Sequence, residues 1–590
     1  MRNVFHRLVV AGGLAAAAGS AASALTLYVD PVNGNDAADG SSNTPWKSFA
    51  PLNKRTLQAG DEVVVFPGVL TASLAPQGNG TPENPVKISF RPGRYDWMPE
   101  GLVHRKLYIS NTSDRPDEPK AIAMEFSGVQ HYRVCGQNTD FFCRGKMIEI
   151  HLEECDDVSF SGFSYDYVRP TVNEYTAVEV TPDFVELEIH PDSRYAIREG
   201  KLVWVGEGWE FPADDGWAQT LTPDKKAVRR GGPKISGGTV EEVAPRRVRL
   251  HGSKDQQFEK GRSYQHRRFV RDCCGVFCDR SSNISYKDVT FHFMHGMGVV
   301  SQFSRDLHFD NLRVYPRPES GRTSAAWADV THFSGCYGQI TLENCYLSGA
   351  NDDAINVHGT HLRLMGKQDD RHITLRFMNG QTFGFNAFRP GDEVQYTSTA
   401  TLQNLGSGKV AEATLSADGK EMHLVMEEPV PATAEVDKTV LENVTATAAV
   451  TVRNTHVTMI DTRGFLLTTR KPILIENCYF HRTGMPALLM EDDANYWYES
   501  GPVHNMTVRG CTFDHCAEPV ISFNPQVQQG EEPIHSNIRI ERNRFILDKD
   551  YYLDMKWVEG LVSTGNVFEQ PQNATPKTTQ KHCRGIDIKD

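Results

Sequence analysis

Three carboxylates share one stretch of this 590-residue chain: Asp329 in WADVTHF and the pair Asp352 and Asp353 in GANDDAINVHG. Asp329 and Asp352 stand 23 positions apart (352 − 329). Carboxylates crowded into a small volume cannot all ionise at their free pKa values. Such a group offers a proton donor beside a base, which is what cleaving a glycosidic bond requires. Turn chemistry alone would account for Asn351 to Asp353. Asp329 has no such explanation, because it sits between Trp327 and Val330 in a strand-like run. A hydrolase that inverts its sugar places a water between acid and base, so those carboxyls are expected about 6.5–9.5 Å apart.

Other polar residues are candidates to meet a substrate. His332 and His358 suit sugar hydroxyls or the tuning of carboxylate pKa values, with a structural histidine at a coil corner as the alternative. Arg463 and Arg470 suit a carboxylate or a hydroxyl, with a solvated surface arginine as the alternative that each taken alone favours. Glu491, Asp492 and Trp497 belong to an acidic and aromatic run that suits a sugar platform, or is an ordinary aromatic loop. The chain has no G-x-S-x-G, no paired Cys/His zinc spacing, no EF-hand spacing and no glycine-rich phosphate loop, so neither a metal nor a cofactor is expected.

The carboxylates need a scaffold that stacks distant residues. Six heptapeptides share apolar second and fourth places: NISYKDV (283–289), DLHFDNL (306–312), QITLENC (339–345), PILIENC (472–478), NMTVRGC (505–511) and NIRIERN (537–543). From second residue to second residue the steps are 23, 33, 133, 33 and 32. Steps of 23 to 33 suit one coil of a right-handed parallel β-helix, an all-β solenoid whose neighbouring strands lie about 4.8 Å apart. The step of 133 reads as one coil plus an insertion. A second strand follows each heptapeptide, and the three carboxylates fall on that second set: ADVTHF (328–333) and AINVHG (354–359) are two of its members.

These patterns divide the chain. Residues 25–167 read as a cap and first coils, 168–273 as an inserted β-domain, and 274–359 as the central coils with the carboxylates. Residues 360–450 read as a second inserted domain, 451–570 as further coils, and 571–590 as a polar, loosely held tail. Both insertions are expected to be small and barrel-like.

Residues 1–24 read as a cleavable export leader: Arg2 and Arg7, then an apolar run too short to span a bilayer, then Ala22-Ser23-Ala24. The expected location is periplasmic or extracellular. The net charge of −13 argues against nucleic acid as a partner. Of the twelve cysteines, Cys345, Cys478 and Cys511 recur at one place in the repeat, so buried thiols with one or two bridges are expected.

With YVDPVNGNDAADG near the start, WADVTHF and GANDDAINVHG resemble the α-1,3-galactosidases of glycoside hydrolase family 110; the three-Asp site also looks like that of inverting polygalacturonases. The resemblance covers nearly the whole chain after the leader. It implies an exo-acting inverting hydrolase that removes terminal α-1,3-linked galactose from linear glycans or branched ones such as blood group B, without a metal. The likeness to the polygalacturonase-type site implies that Asp352 protonates the leaving oxygen while Asp329 and Asp353 activate water. A polygalacturonase-like endo-hydrolase, a polysaccharide lyase and a non-enzymatic glycan-binding β-helix are the alternatives. A galactose-terminated glycan is the expected partner; the sequence leaves the oligomeric state open.

Overall fold

The computed structural model describes residues 24–252, 257–571 and 574–590, so the expected leader lies, but for Ala24, outside the described residues. Three parallel sheets run along the molecule, and successive coils add strands to them in turn. The first sheet begins with Thr26–Val29 and ends with Arg584–Lys589. The second runs from Gly68–Leu70 to Val567–Glu569, and the third from Lys120–Ser127 to Lys577–Lys581. This is the parallel β-helix that the repeat predicts.

Alternation drives it. In Tyr337–Glu343 the side chains of Ile340 and Leu342 are buried while Gln339, Thr341 and Glu343 face outward. Ile284, Leu307, Ile340, Val450 and Ile473 stand directly above one another in the first sheet. Between the first two sheets the chain turns through left-handed residues: Asp288, Asn311, Asn344, Asn454 and Asn477. Asn and Asp tolerate that conformation, and here they also bond up the stack. Asn311 donates to Asp288 at 2.7 Å and Asn344 to Asp310 at 2.9 Å.

The step of 133 contains two coils, not one: Ile340 pairs with Val450, and Val450 with Ile473. The missed heptapeptide is AVTVRNT (449–455), which merges with the apolar run before it and ends in threonine. The strand Ala448–Arg453 therefore belongs to the helix rather than to the insertion. Of the expected loose tail, residues 574–590 are not loose. Lys577–Lys581 and Arg584–Lys589 form a final rung on the third and first sheets. A terminal coil covers the core on one side only, so Cys583 and Ile586 suffice and the sequence reads as polar. All twelve cysteines are free, so the expected one or two bridges are absent. Cys345, Cys478 and Cys511 lie buried in the column beside the left-handed turns, as the repeat predicts.

Two β-domains leave the helix. The first spans Asn173–Val180 to Ser263–Arg268 and holds a seven-stranded antiparallel sheet and a three-stranded one over its own core, which includes Tyr175, Trp204 and Leu250. The second is a closed six-stranded barrel between Leu362–Lys367 and Thr439–Asn443. Among the described residues no helix is long and apolar enough to cross a membrane.

Candidate active site

Thr331–Ser334 and Ile355–Thr360 are neighbouring strands of the third sheet, with Thr331 opposite Ile355. The register is thus 24 (355 − 331), not the 23 inferred from spacing. Asp353, rather than Asp352, stacks over Asp329, and its N–H points at Asp329 Oδ1 (3.3 Å). Asp352 precedes it and turns toward the same space. One oxygen from each of the three carboxylates lies within 4.8 Å of the others. That is about one rung spacing, and it is tighter than the 6.5–9.5 Å expected. All three groups are buried.

Arginines surround them. Asp352 pairs with Arg271 and, at 3.3 Å, with Arg230. Arg463 Nη2 meets Asp353 Oδ2 at 2.6 Å, and Thr462 Oγ1 donates to Asp353 Oδ1 at 2.7 Å. Arg267 is buried, with its guanidinium 4.2 Å from the Trp327 ring and 4.8 Å from the Trp217 ring. The proton affinities divide accordingly. Burial and then the charge of Asp352 push Asp329 up to about 8. Burial likewise takes Asp353 to about 8, against the pull of Arg463. Burial would raise Asp352 too, but Arg271, Arg230, Arg463 and Arg267 hold it below the usual carboxylate range. Among the described residues, this trio is the cluster with ligand atoms close enough for a cation. Arginine already supplies its positive charge.

Behind Asp329 runs a buried chain. His332 Nδ1 lies 2.8 Å from Asp329 Oδ2, His332 Nε2 lies 2.9 Å from His358 Nε2, and His358 Nδ1 lies 2.6 Å from the Gly359 carbonyl. A carbonyl only accepts, so His358 Nδ1 carries the proton and its Nε2 accepts from His332 Nε2. Burial lowers both histidines, His332 to about 4. A neutral His332 then has a bare Nδ1, and the 2.8 Å contact holds a proton that Asp329 donates. Geometry and the raised pKa of Asp329 agree.

The trio opens into a cavity of about 530 Å³. The first inserted domain and the segment after it contribute Trp217, Arg230, Arg267, Phe269 and Arg271; the helix contributes Asn356, Arg463, Leu466 and the loop from Glu491 to Glu499. Asp493 organises that loop by accepting the backbone N–H groups of Asn495 (2.7 Å), Tyr496 (3.0 Å) and Trp497. This leaves Tyr496 exposed beside Trp497, their rings 5.5 Å apart.

Of the residues singled out in the sequence, Asp329, Asp352, Asp353, Arg463, Glu491 and Trp497 line the cavity. His332 and His358 do not; they lie beneath Asp329, so they tune a carboxylate rather than touch substrate. Arg470 is elsewhere, paired with buried Glu442 on the last barrel strand. Asp492 is buried behind the loop, where it accepts from the Gly501 N–H at 3.3 Å. Arg463 and Arg470 stand either side of the short strand Phe465–Leu467, and Glu491 and Asp492 just after Leu488–Met490, where no alternation tells which side chain faces inward. Arg230, Arg267, Arg271, Trp217, Glu499 and Asn111 were missed. The signal was a set of arginine runs in an acidic chain, RR at 229–230 inside the first insertion and RRFVR at 267–271 at its end.

Two family models match the inserted domains, GLAA-B beta-barrel domain I over residues 174–263 and domain II over residues 372–440. An alpha-1,3-galactosidase A from Akkermansia muciniphila is 40% identical over 575 residues, covering 95% of this chain and 94% of the relative. One from Bacteroides fragilis is 36% identical over 492 residues, 82% and 81% of the two chains. An alpha-1,3-galactosidase B from Bacteroides thetaiotaomicron is 30% identical over 526 residues, 85% and 84%. At such identity along almost the full length of its relatives, this chain belongs to the α-1,3-galactosidase family, glycoside hydrolase family 110.

Proposed function

We propose that the cavity is the active site of an exo-acting hydrolase that releases terminal α-1,3-linked galactose from glycans with inversion. The observation that carries this reading is the convergence of three buried carboxylates of unequal proton affinity in a single pocket. With walls from the first inserted domain and the 491–499 loop, the cavity is a pocket rather than the long groove that a bare solenoid face offers, and a pocket suits a terminal sugar. The arginines lining it are already engaged, Arg271 and Arg230 by Asp352, Arg463 by Asp353, Arg268 by Asp215 and Arg267 by the Trp217 and Trp327 rings, which disfavours a uronate and with it a pectin-type endo-hydrolase or lyase.

Two oxygens up to 4.8 Å apart can both reach one water at about 2.8 Å. The close spacing thus lets two carboxylates share the attacking water while the third protonates the leaving oxygen. Likeness to the polygalacturonase-type site gives the proton to Asp352. The charges of the empty pocket favour a second assignment: Asp352 is the group held ionised and fits the base, while Asp329, with the proton that His332 accepts, fits the donor. For Asp352 to donate, the bound sugar must first part its pairs with Arg271 and Arg230.

The test is proton NMR during hydrolysis of an α-1,3-galactosyl trisaccharide. β-Galactose appearing first is expected; α-galactose first would overturn inversion, and no galactose would overturn the function. Asn variants at 329 and 352 separate the assignments on a 2,4-dinitrophenyl galactoside, whose leaving group needs no proton. The variant that regains activity there has lost the acid. The leader at residues 1–24 supports export to the periplasm or beyond, tested by N-terminal sequencing of the protein recovered outside the cytoplasm.

A further inference from the structure

A second cavity, of about 310 Å³, adjoins the first and shares two of its wall residues, Trp327 and Arg268. Its lining comes from three parts of the chain: the first inserted domain (Trp209, Phe211), the early coils (Lys146, Thr171) and the central coils (Asp272, His295).

The polar groups in it are only partly satisfied by one another. His295 is buried, and its Nδ1 meets Thr171 Oγ1 at 2.7 Å. Its Nε2 has no hydrogen-bond partner among the described residues. Asp272 Oδ1 is likewise unpaired, 3.4 Å from that nitrogen but without hydrogen-bond geometry. Asp272 Oδ2 lies 3.7 Å from Lys146 Nζ. The indole N–H of Trp209 also lacks a partner, and its ring stacks on Phe211 at 5.9 Å. Buried polar groups left unpaired cost stability unless something completes them. An aromatic wall beside a carboxylate, an imidazole and an ammonium is a surface for a sugar, whose C–H face packs on rings and whose hydroxyls both donate and accept. Charge narrows the choice. Arg115, Lys146 and Arg268 are matched by Glu118, Glu210 and Asp272, so the cavity has no surplus for an acidic sugar.

We propose that this second cavity is an acceptor-side subsite, holding a neutral hexose still joined to the galactose that the first cavity releases. The inference rests on the galactosidase reading and deepens it. The acceptor sugar then lies on the far side of the Trp327 and Arg268 edge that the two cavities share, and binding energy gained there helps to fix the galactose over the carboxylates.

The test compares 4-nitrophenyl α-galactoside, which has no acceptor sugar, with α-1,3-galactosyl di-, tri- and branched tetrasaccharides. In Trp209→Ala and in Lys146→Ala, kcat/KM on at least one oligosaccharide is expected to fall ten-fold or more, while the nitrophenyl substrate stays within two-fold. The shortest glycan that registers the loss identifies which sugar occupies the cavity. Equal losses on every substrate would mean a supporting wall only, and no loss on any would leave the cavity without a sugar; either result overturns the proposal. Thermal melts of both variants control for folding, and the more exposed Lys146 keeps the test open should Trp209→Ala unfold. Failure of the wild type to cleave any of these substrates would sink the galactosidase reading itself, which is a separate outcome.

Discussion

Replacing His358 with phenylalanine keeps a ring of similar size but removes the acceptor for His332 Nε2–H. The least costly response of a buried, neutral His332 is to change tautomer, moving its proton to Nδ1. It then donates to Asp329 Oδ2 across the 2.8 Å contact, where in the intact chain it accepts. A donor to the charged form lowers a carboxyl pKa. A hydrogen bond to a charged group contributes about 1.5–3 kcal/mol, and each pKa unit corresponds to about 1.4 kcal/mol, so the shift is about 1–2 units. Asp329 should fall from about 8 toward 6 or 7. The assay is kcat/KM against pH on 4-nitrophenyl α-galactoside. If Asp329 works as the acid, the alkaline limb moves to lower pH by that amount; if it works as a base, the acid limb moves in the same direction. A limb that stays in place, or moves to higher pH, refutes the tautomer chain from Gly359 to Asp329.

Further outcomes follow from the same site. Asp329 has a folded pKa raised by burial, so the stability linked to its protonated form is complete below about pH 4 and is lost as pH rises toward 8. Asp329→Asn should therefore melt above the wild type at pH 8 and no higher at pH 4, while losing most of its activity at both; equal melting shifts at the two values would contradict the raised pKa. Asp352→Asn strands Arg271 and leaves Arg230 only Asp461, at 3.6 Å, and should cost about 3–5 kcal/mol in a urea titration, so an unchanged midpoint would show those pairs to be weak. Galactose release should survive prolonged treatment with EDTA, because arginine rather than a cation compensates the carboxylates; loss that calcium restores would prove otherwise. Reducing agent should leave the melting temperature unchanged, since all twelve cysteines are free.

The solenoid was legible because its signal is local: an apolar second and fourth place, repeated, needs no knowledge of partners. It failed at AVTVRNT, where an apolar approach hid the start of the strand, and at the last rung, where half a core leaves little apolar pattern. The trio was legible for a related reason, since carboxylates inside a strand call for explanation. Its register was off by one because loops between rungs vary in length, and only the pairing of Thr331 with Ile355 fixes the offset. The pairing of the arginines with the carboxylates was illegible. Arg271 and Asp352 are separated by 81 positions and a change of domain, and nothing in the spacing ties them. The histidines were found but misplaced, because a strand position does not reveal whether a ring faces the pocket or the rung beneath.

The closing rung has a further consequence. A spiral of strands ends in a row of backbone donors and acceptors with nothing above them, and another chain can dock on such an edge and extend it. Here that edge is KTTQK and RGIDIK, dense in lysine, arginine and aspartate. Trimming residues 574–590 would uncover Leu561, Phe568 and Tyr552 at the tip and turn a repelling end into an adhesive one. These polar strands thereby cover the apolar tip and blunt the edge.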